Sequence, residues 1–133
     1  MIDCENEVYT RVVKMLREKF PGINVAGEYI NSPPAFPHVS IIQSDSRPIV
    51  GKQDTSGKEV LSLVMFEINV YSNKSEGKKT ECKSIANAID EKMFSMNFRR
   101  LTFKPVPNME DATIYRIIAR YSVETDGKNF YRR

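Results

Sequence analysis

Residues 59–72, with the sequence EVLSLVMFEINVYS, decide the fold that we predict for this chain. Side chains alternate along this segment between two faces, the pattern of a β-strand, and its first half is apolar on both faces. A strand of this length spans roughly 45 Å at ~3.3 Å per residue. A globule of this size has a radius of gyration near ~14 Å and is only about 36 Å across. We therefore expect the strand either to bend or to overhang its own domain, and the excess length indicates that neighbouring copies of the chain complete the sheet or its surface.

The composition indicates one folded domain over residues 1–133. Hydrophobic residues make up 41% and charged residues 28% of the chain, which is typical of a globule with a single core. Residues 126–133 are expected to form either a frayed tail or a short extra strand. The longest apolar stretch, residues 60–66, is far shorter than the ~20 residues of a membrane helix, and the acidic start MIDCENEV is unlike a secretion signal. We expect a cytosolic protein with no membrane partner.

The net charge of +3 is unevenly distributed along the chain. Residues 1–66 carry 7 basic and 8 acidic groups, whereas residues 67–133 carry 13 and 9. This bias is compatible with an acidic partner surface or with nucleic acid, but an ordinary solvated surface is the simpler explanation. It falls well short of the dense basic footprint typical of proteins that bind duplex DNA.

Apolar spacing and turn residues predict the element order α, β, β, β, α, β, β. A first helix begins at the cap residue Asp3 and ends before Pro21, and a second helix follows the cap residue Ser75. Strands are predicted over residues 23–30, 38–47, 59–72, 98–106 and 113–124. Because the strands come in runs rather than alternating with helices, we expect an α+β fold. Its mostly antiparallel, twisted sheet carries both helices on one face.

The sequence contains no pattern that predicts catalysis or metal binding. His38 is the only histidine, so one subunit cannot supply a second histidine to a metal or a catalytic triad. Cys4 and Cys82 lack the spacing of a zinc site and fall on the apolar sides of the predicted helices. Asp90 and Glu91 are neighbours on a helix and point about 100° apart, so they do not converge on one atom. We expect neither an enzyme nor a bound cofactor.

Charged and polar side chains alternate along two of the predicted strands. Arg116 and Arg120 lie on one side of the fifth strand, and Glu67 and Asn69 lie on one side of the third. These residues could pair across strands within the chain, at roughly 0.2–1 kcal/mol for each pair. Alternatively, they could face a neighbouring subunit, where an arginine opposite a carboxylate sets the register of the contact.

Three further basic residues follow the second helix, namely Arg99, Arg100 and Lys104. They could line a surface that faces DNA. They could equally form a solvated strand edge that discourages aggregation of the sheet.

Three segments resemble the tail terminator, or tail completion, proteins of long-tailed phages, prophages and related phage-tail-like particles. The segments are FPHVSI at residues 36–41, FEINVYSNKSEGKKTECKSI at residues 66–85 and PNMEDATIYRIIARY at residues 107–121. The resemblance implies a small subunit that forms a ring, usually of six, on the end of a finished tail tube. Such a ring stops tube polymerisation and offers a docking face to the head connector. It also implies residence in the host cytoplasm during assembly and afterwards in the particle.

The resemblance also gives roles to particular residues as expectations. The third strand and its turn would contribute to the subunit boundary by edge pairing or sheet continuation, together with the fifth strand. The residues expected there are Glu67, Asn69, Tyr71, Asn73, Lys74, Arg116 and Arg120. The residues expected to contact tube or neck proteins are Arg47, Lys52 and Asp54. DNA passing through the ring would face Arg99, Arg100 and Lys104.

Two alternative functions remain open from the sequence. One is a head completion or connector-stopper protein, which would bind the portal side of the particle instead of the tube. The other is an α+β module that binds nucleic acid through the basic C-terminal half of the chain.

Overall fold

A computed structural model of the chain describes residues 2–28, 33–49, 61–107 and 113–131. The helices and strands within these ranges are α1 Glu5–Lys19, β1 Asn24–Ala26, β2 His38–Pro48, β3 Ser62–Ser72, α2 Lys78–Ser95, β4 Arg99–Pro107, β5 Tyr115–Thr125 and β6 Phe130–Tyr131. This order confirms the predicted α+β fold. It also confirms the short extra strand that the sequence allowed near the C-terminus, which is β6.

The strands form one sheet in the order β1-β2-β3-β5-β4, and β6 also pairs with β5. β1 runs parallel to β2, and the other pairs of strands are antiparallel. β1 has only three residues, so the first strand is shorter than the predicted residues 23–30, of which 29 and 30 lie outside the described ranges. The sheet is therefore mostly antiparallel, as expected, with a short parallel strand at one edge.

β3 is the central strand of the sheet, and the predicted overhang is wrong. The strand has 11 residues, which corresponds to about 36 Å and matches the width of a globule of this size. β2 and β5 also have 11 residues each, and both pair with β3 along its length. Residues 59 and 60 of the predicted strand lie outside the described ranges. Since both edges of β3 are satisfied within the chain, edge pairing with another copy through this strand is excluded.

Both helices pack on one face of the sheet, which we call the helix-covered face. Its apolar side chains on β3 are Val64, Phe66, Ile68 and Val70, all 0–1% exposed. The buried residues that the helices add to the same core are Val8, Val12, Val13, Leu16, Cys82, Ile85, Ala86, Ile89 and Met93. Full burial of one such large side chain contributes about 1.5–3 kcal/mol. Neither of the described helices is long and apolar enough to cross a bilayer.

The start of α1 is tied to an irregular part of β2. The register of β2 against β3 shifts between Gln43 and Asp45, so the intervening residue Ser44 forms a bulge. At this bulge the Gln43 backbone N–H donates to Glu5 Oε2 (2.6 Å), and the Cys4 backbone N–H donates to Gln43 Oε1 (3.1 Å). The N-terminus of α1 thus satisfies backbone and side-chain groups of β2.

α2 begins differently from the prediction. The expected cap Ser75 lies outside the helix, which starts at Lys78 directly after Gly77. Gly77 has a φ of +82°, a left-handed conformation that costs glycine little because it has no side chain. The helix therefore starts after a glycine turn instead of at a serine cap.

Candidate interaction surface

The face of the sheet turned away from both described helices, which we call the far face, carries polar side chains of β3 that are buried. Alternate residues of β3 point to this face, and Asn69 is 0%, Tyr71 5% and Glu67 8% exposed. Buried polar side chains are destabilising unless they form hydrogen bonds. The partners of these residues therefore determine what the surface can do.

Asn69 and Glu67 form a continuous hydrogen-bonded chain with Arg116 and Arg120 of β5, which we call the polar ladder. Arg116 donates from Nε and Nη2 to Asn69 Oδ1, at 3.0 and 2.8 Å. Asn69 Nδ2 donates to Glu67 Oε2 (3.3 Å), and Arg120 Nε donates to Glu67 Oε1 (3.0 Å). The cross-strand pairing that the sequence allowed is therefore present within one chain. A role of these residues at a subunit boundary stays a prediction. Within the polar ladder, the side chain of Arg120 is 41% exposed and is the group that a neighbouring subunit could contact.

Two aromatic rings extend the polar ladder towards the end of the sheet that carries β1. The guanidinium carbon of Arg116 lies 5.5 Å from the centre of the Tyr71 ring, a cation–π distance. Burial is the main cause that raises the pKa of Tyr71. The His38 ring packs on Tyr71 with 5.8 Å between centroids. The tyrosine is therefore held as a neutral phenol between a cation and an imidazole.

His38, the first residue of β2, is fully buried. The side chains of Asn24 and His38 are hydrogen-bonded, with 2.9 Å between Asn24 Nδ2 and His38 Nδ1. His38 Nε2 is buried and has no hydrogen-bond partner within the described part of the chain. Burial lowers the pKa of His38, so the neutral form is favoured in the folded protein.

The basic residues of β4 lie on the opposite edge of the sheet from β1. Arg99, Arg100 and Lys104 are all exposed, and Arg100 Nη1 lies 3.4 Å from Asp90 Oδ2 on α2. Asp90 Oδ1 also accepts a hydrogen bond from the Tyr121 hydroxyl (2.8 Å). Burial raises the pKa of Tyr121 and keeps it a donor. Asp90 is therefore part of a network that connects α2 to β4 and β5.

The outer edge of β4 is shaped by a bulge and two prolines. Arg100 of β4 lies opposite Tyr121 of β5, and the pairing then skips one residue. That residue is Leu101, which forms the bulge and is 46% exposed. Pro105 and Pro107 lack a backbone N–H and occur in sheets where no ladder bond is needed. Charges, bulges and prolines are the devices by which strand edges avoid pairing with other chains. We infer that β4 is poorly suited to extending the sheet.

The residues expected to contact tube or neck proteins are only partly described. Arg47 lies in β2, where its Nε is 2.9 Å from Asp45 Oδ2 and its side chain is 62% exposed. Lys52 and Asp54 lie outside the described residues. Asn73 and Lys74 are exposed directly after β3, at the end of the sheet.

A groove beside α1 was not predicted. It has a volume of about 460 Å³ and is lined by Asp3, Glu5, Asn6, Tyr9 and Gly27. A side-chain carbon at Gly27 would lie only 3.7 Å from Tyr9 Cε2. The groove arises where the end of β1 approaches α1, a tertiary contact without a local sequence signal.

No protein-family model and no curated protein matches the chain. Among solved structures, the fold is similar to a chain from a structure described as "Virion of native gene transfer agent (GTA) particle". The two chains share 20% of aligned residues with a TM-score of 0.60, and the match covers 87% of this chain and 93% of the other. At this identity the comparison shows a common fold over nearly the whole of both chains.

Proposed function

We propose that this protein is a structural component of a phage-type particle. The observation that carries the proposal is the fold similarity, over 87% of this chain, to a chain of a gene transfer agent virion. The three sequence segments that resemble tail terminators point to the same class of particle. Within that class, the function we propose is that of a terminator subunit, which forms a ring on the end of a tail tube and stops its growth.

The chemistry of the described side chains supports a role in assembly. The carboxylates of Glu67 and Asp90 are bonded to side chains of the same chain, namely Arg120 and Asn69 for the first and Tyr121 and Arg100 for the second. These carboxylates hold the fold together and are not arranged around a shared substrate position. The partners we propose are other copies of the chain, the tail tube protein and a head–tail connector or neck protein.

Tube assembly tests the terminator function directly. Tail tube protein from the same particle would be polymerised with and without this protein, and the lengths of the tubes measured by electron microscopy. We expect tubes of limited length, each with a density at one end, when the protein is present. A heat-unfolded sample of the protein serves as the control. Identical length distributions in all three samples would contradict the proposal.

A connector-stopper is the main competing role in the same particle. Capture experiments with immobilised protein separate the two, because a terminator retains tube protein and a connector-stopper retains portal protein. Retention of portal protein without tube protein would contradict the terminator role and support the connector-stopper role.

Nucleic-acid binding is the competing role from another class, and exposed Arg99 and Lys104 are the residues that favour it. Three other arginines are already hydrogen-bonded within the chain, to Asp90, Asn69 and Glu67. A terminator should therefore bind DNA weakly, with a shallow dependence on salt. For a DNA-binding module, Arg99→Ala should reduce the slope of log affinity against log salt by about one.

A further inference from the structure

The groove beside α1 and the strand β4 carry charges of opposite sign. At the β1–β2 edge lies the groove lined by Asp3, Glu5, Asn6 and Tyr9, which we call the acidic groove. Residues 2–7, IDCENE, contain three acidic residues and no basic one. At the other edge β4, with the sequence RRLTFKPVP, contains three basic residues and no acidic one. The strand order places these two surfaces on opposite sides of one sheet.

Exposed apolar side chains are concentrated at the basic edge. Among the described residues the large hydrophobic side chains that are exposed are Phe94 (62%), Leu101 (46%) and Tyr131 (41%). Phe94 is in the last turn of α2, Leu101 is the bulge residue of β4, and Tyr131 is in β6, which pairs with the same edge of β5 as β4 does. Exposed apolar side chains beside arginines are typical of protein interfaces.

The backbone of β4 limits how this edge can be used. Pro105 and Pro107 remove backbone donors from one half of the strand, and the bulge at Leu101 interrupts the other half. An added strand would therefore find few continuous hydrogen-bonding positions. The bulge places an exposed apolar residue, Leu101, between Arg100 and Thr102. A partner is expected to meet this edge through side chains and not through strand pairing.

We propose that the β4 edge of one copy docks into the acidic groove of the next copy. This inference rests on the proposed function and names the surfaces that would join subunits in the ring. Leu101 would lie against Tyr9, and Arg99 would lie near Asp3 and the exposed Asn6. The contact is heterologous, because two β4 edges repel each other and so do two acidic grooves. Heterologous contacts between opposite sides of a subunit produce closed rings or helical filaments.

Paired cysteine variants test which surfaces meet. The double variant Asn6→Cys/Leu101→Cys, treated with a short bis-maleimide, should give a ladder of linked species longer than dimers on a denaturing gel. Each single variant should give no ladder, since a heterologous contact does not bring two equivalent positions together. Asn6→Cys/Lys83→Cys is the matched control, with Lys83 exposed on α2. Native Cys4 and Cys82 are buried, and burial raises their pKa to about 11 and about 12, so they react slowly.

Charge reversal provides an independent test. Arg99→Glu should weaken assembly at least about tenfold, as measured by native mass spectrometry over a concentration series. Adding Asn6→Lys should restore assembly, because the reversed charge then meets a cation. Lys83→Glu makes the same charge change elsewhere and should leave assembly unchanged. If Arg99→Glu merely damaged the fold, adding Asn6→Lys would not restore assembly.

The possible failures are distinguishable. Assembly of the wild-type protein that is unaffected by Arg99→Glu, or dimers linked through Leu101→Cys alone, would overturn this interface and leave the terminator function standing. A wild-type protein that stays monomeric even with tube protein would overturn both.

Discussion

On the central strand β3, buried side chains point to both faces of the sheet, but their chemistry is opposite. On β3, Val64, Phe66 and Ile68 pack under the helices, while Glu67 and Asn69 on the other side form the polar ladder. A shift of β3 by one residue against β5 would exchange the two sets. Such a slip would put a carboxylate and an amide into the core and is strongly disfavoured. The apolar face therefore supplies most of the stability, and the polar face makes the strand register unambiguous.

Removing a large side chain from the helix-covered face should have the largest effect. Phe66 is 0% exposed and packs edge-on against Phe98, with 5.6 Å between ring centroids. We expect Phe66→Ala to lower the free energy of unfolding by about 3–5 kcal/mol, through lost burial and a cavity. Urea denaturation followed by circular dichroism measures the change. Leu101→Ala removes an exposed apolar side chain and should change stability by less than about 0.5 kcal/mol. Equal effects of the two variants would refute the contrast between core and edge.

Interrupting the polar ladder should have an intermediate effect. Asn69→Ala removes the acceptor of two hydrogen bonds from Arg116 and the donor to Glu67. We expect a loss of about 1–3 kcal/mol, because partners of a buried polar group are left unsatisfied. Asn73→Ala, at an exposed position just beyond the same strand, is the matched control and should be near neutral. The same urea titration compares them, and a neutral Asn69→Ala would show that the ladder is solvated in solution.

The buried histidine of the far face should give a smaller, pH-dependent effect. The pKa of His38 in the folded protein is lowered from 6.5 by burial. Between this lowered pKa and pH 6.5, His38 is therefore protonated in the unfolded chain and neutral in the folded chain. The free energy of unfolding is therefore highest, as far as this group is concerned, above pH 6.5. It falls as the pH drops from 6.5 towards the lowered pKa, and below that pKa the group causes no further change. In His38→Gln this part of the pH dependence should be absent. Denaturation curves on both sides of 6.5 measure it, and parallel pH profiles of the two proteins would rule out this role.

The smallest effect on stability is expected at the exposed end of β2. Arg47 pairs with Asp45, but the side chains are 62% and 42% exposed, and exposed ion pairs contribute about 0–1 kcal/mol. Arg47→Ala should leave stability almost unchanged and weaken binding of the tube protein, measured by light scattering. Arg11→Ala breaks a comparable exposed pair with Glu7 on α1 and should leave binding unchanged. Unchanged binding in both variants would remove Arg47 from the proposed contact.

The periodic elements of the fold could be predicted from the sequence, because burial imposes a local spacing. The alternation of Val64, Phe66 and Ile68 and the helical spacing of Ile85 and Ile89 identified the buried residues of both layers. Strand position could not be predicted in the same way. A strand covered on both faces has the same pattern whether its edges are paired within the chain or with another copy, so β3 was wrongly expected to overhang.

In the candidate site, too, features with a local sequence pattern could be predicted, whereas features formed by tertiary contacts could not. Glu67 and Arg120 were recognised as possible partners, because each lies on one side of a regular alternating strand. The bulge at Leu101 and the groove beside Tyr9 were not recognised. Both depend on how distant segments meet, namely the register of β4 against β5 and the approach of β1 to α1.

The central position of β3 has a consequence for how the protein is made. Glu67 is translated 53 residues before its partner Arg120. At about 5–20 residues per second, synthesis of that interval takes roughly 3–10 s, during which a nascent chain carries β3 with one edge uncovered. In nascent chains that are stalled or truncated before Tyr115, this edge of β3 stays unpaired, and we expect chaperones to bind them. Production of intact protein should therefore improve at lower temperature or slower expression more than its final stability alone would suggest.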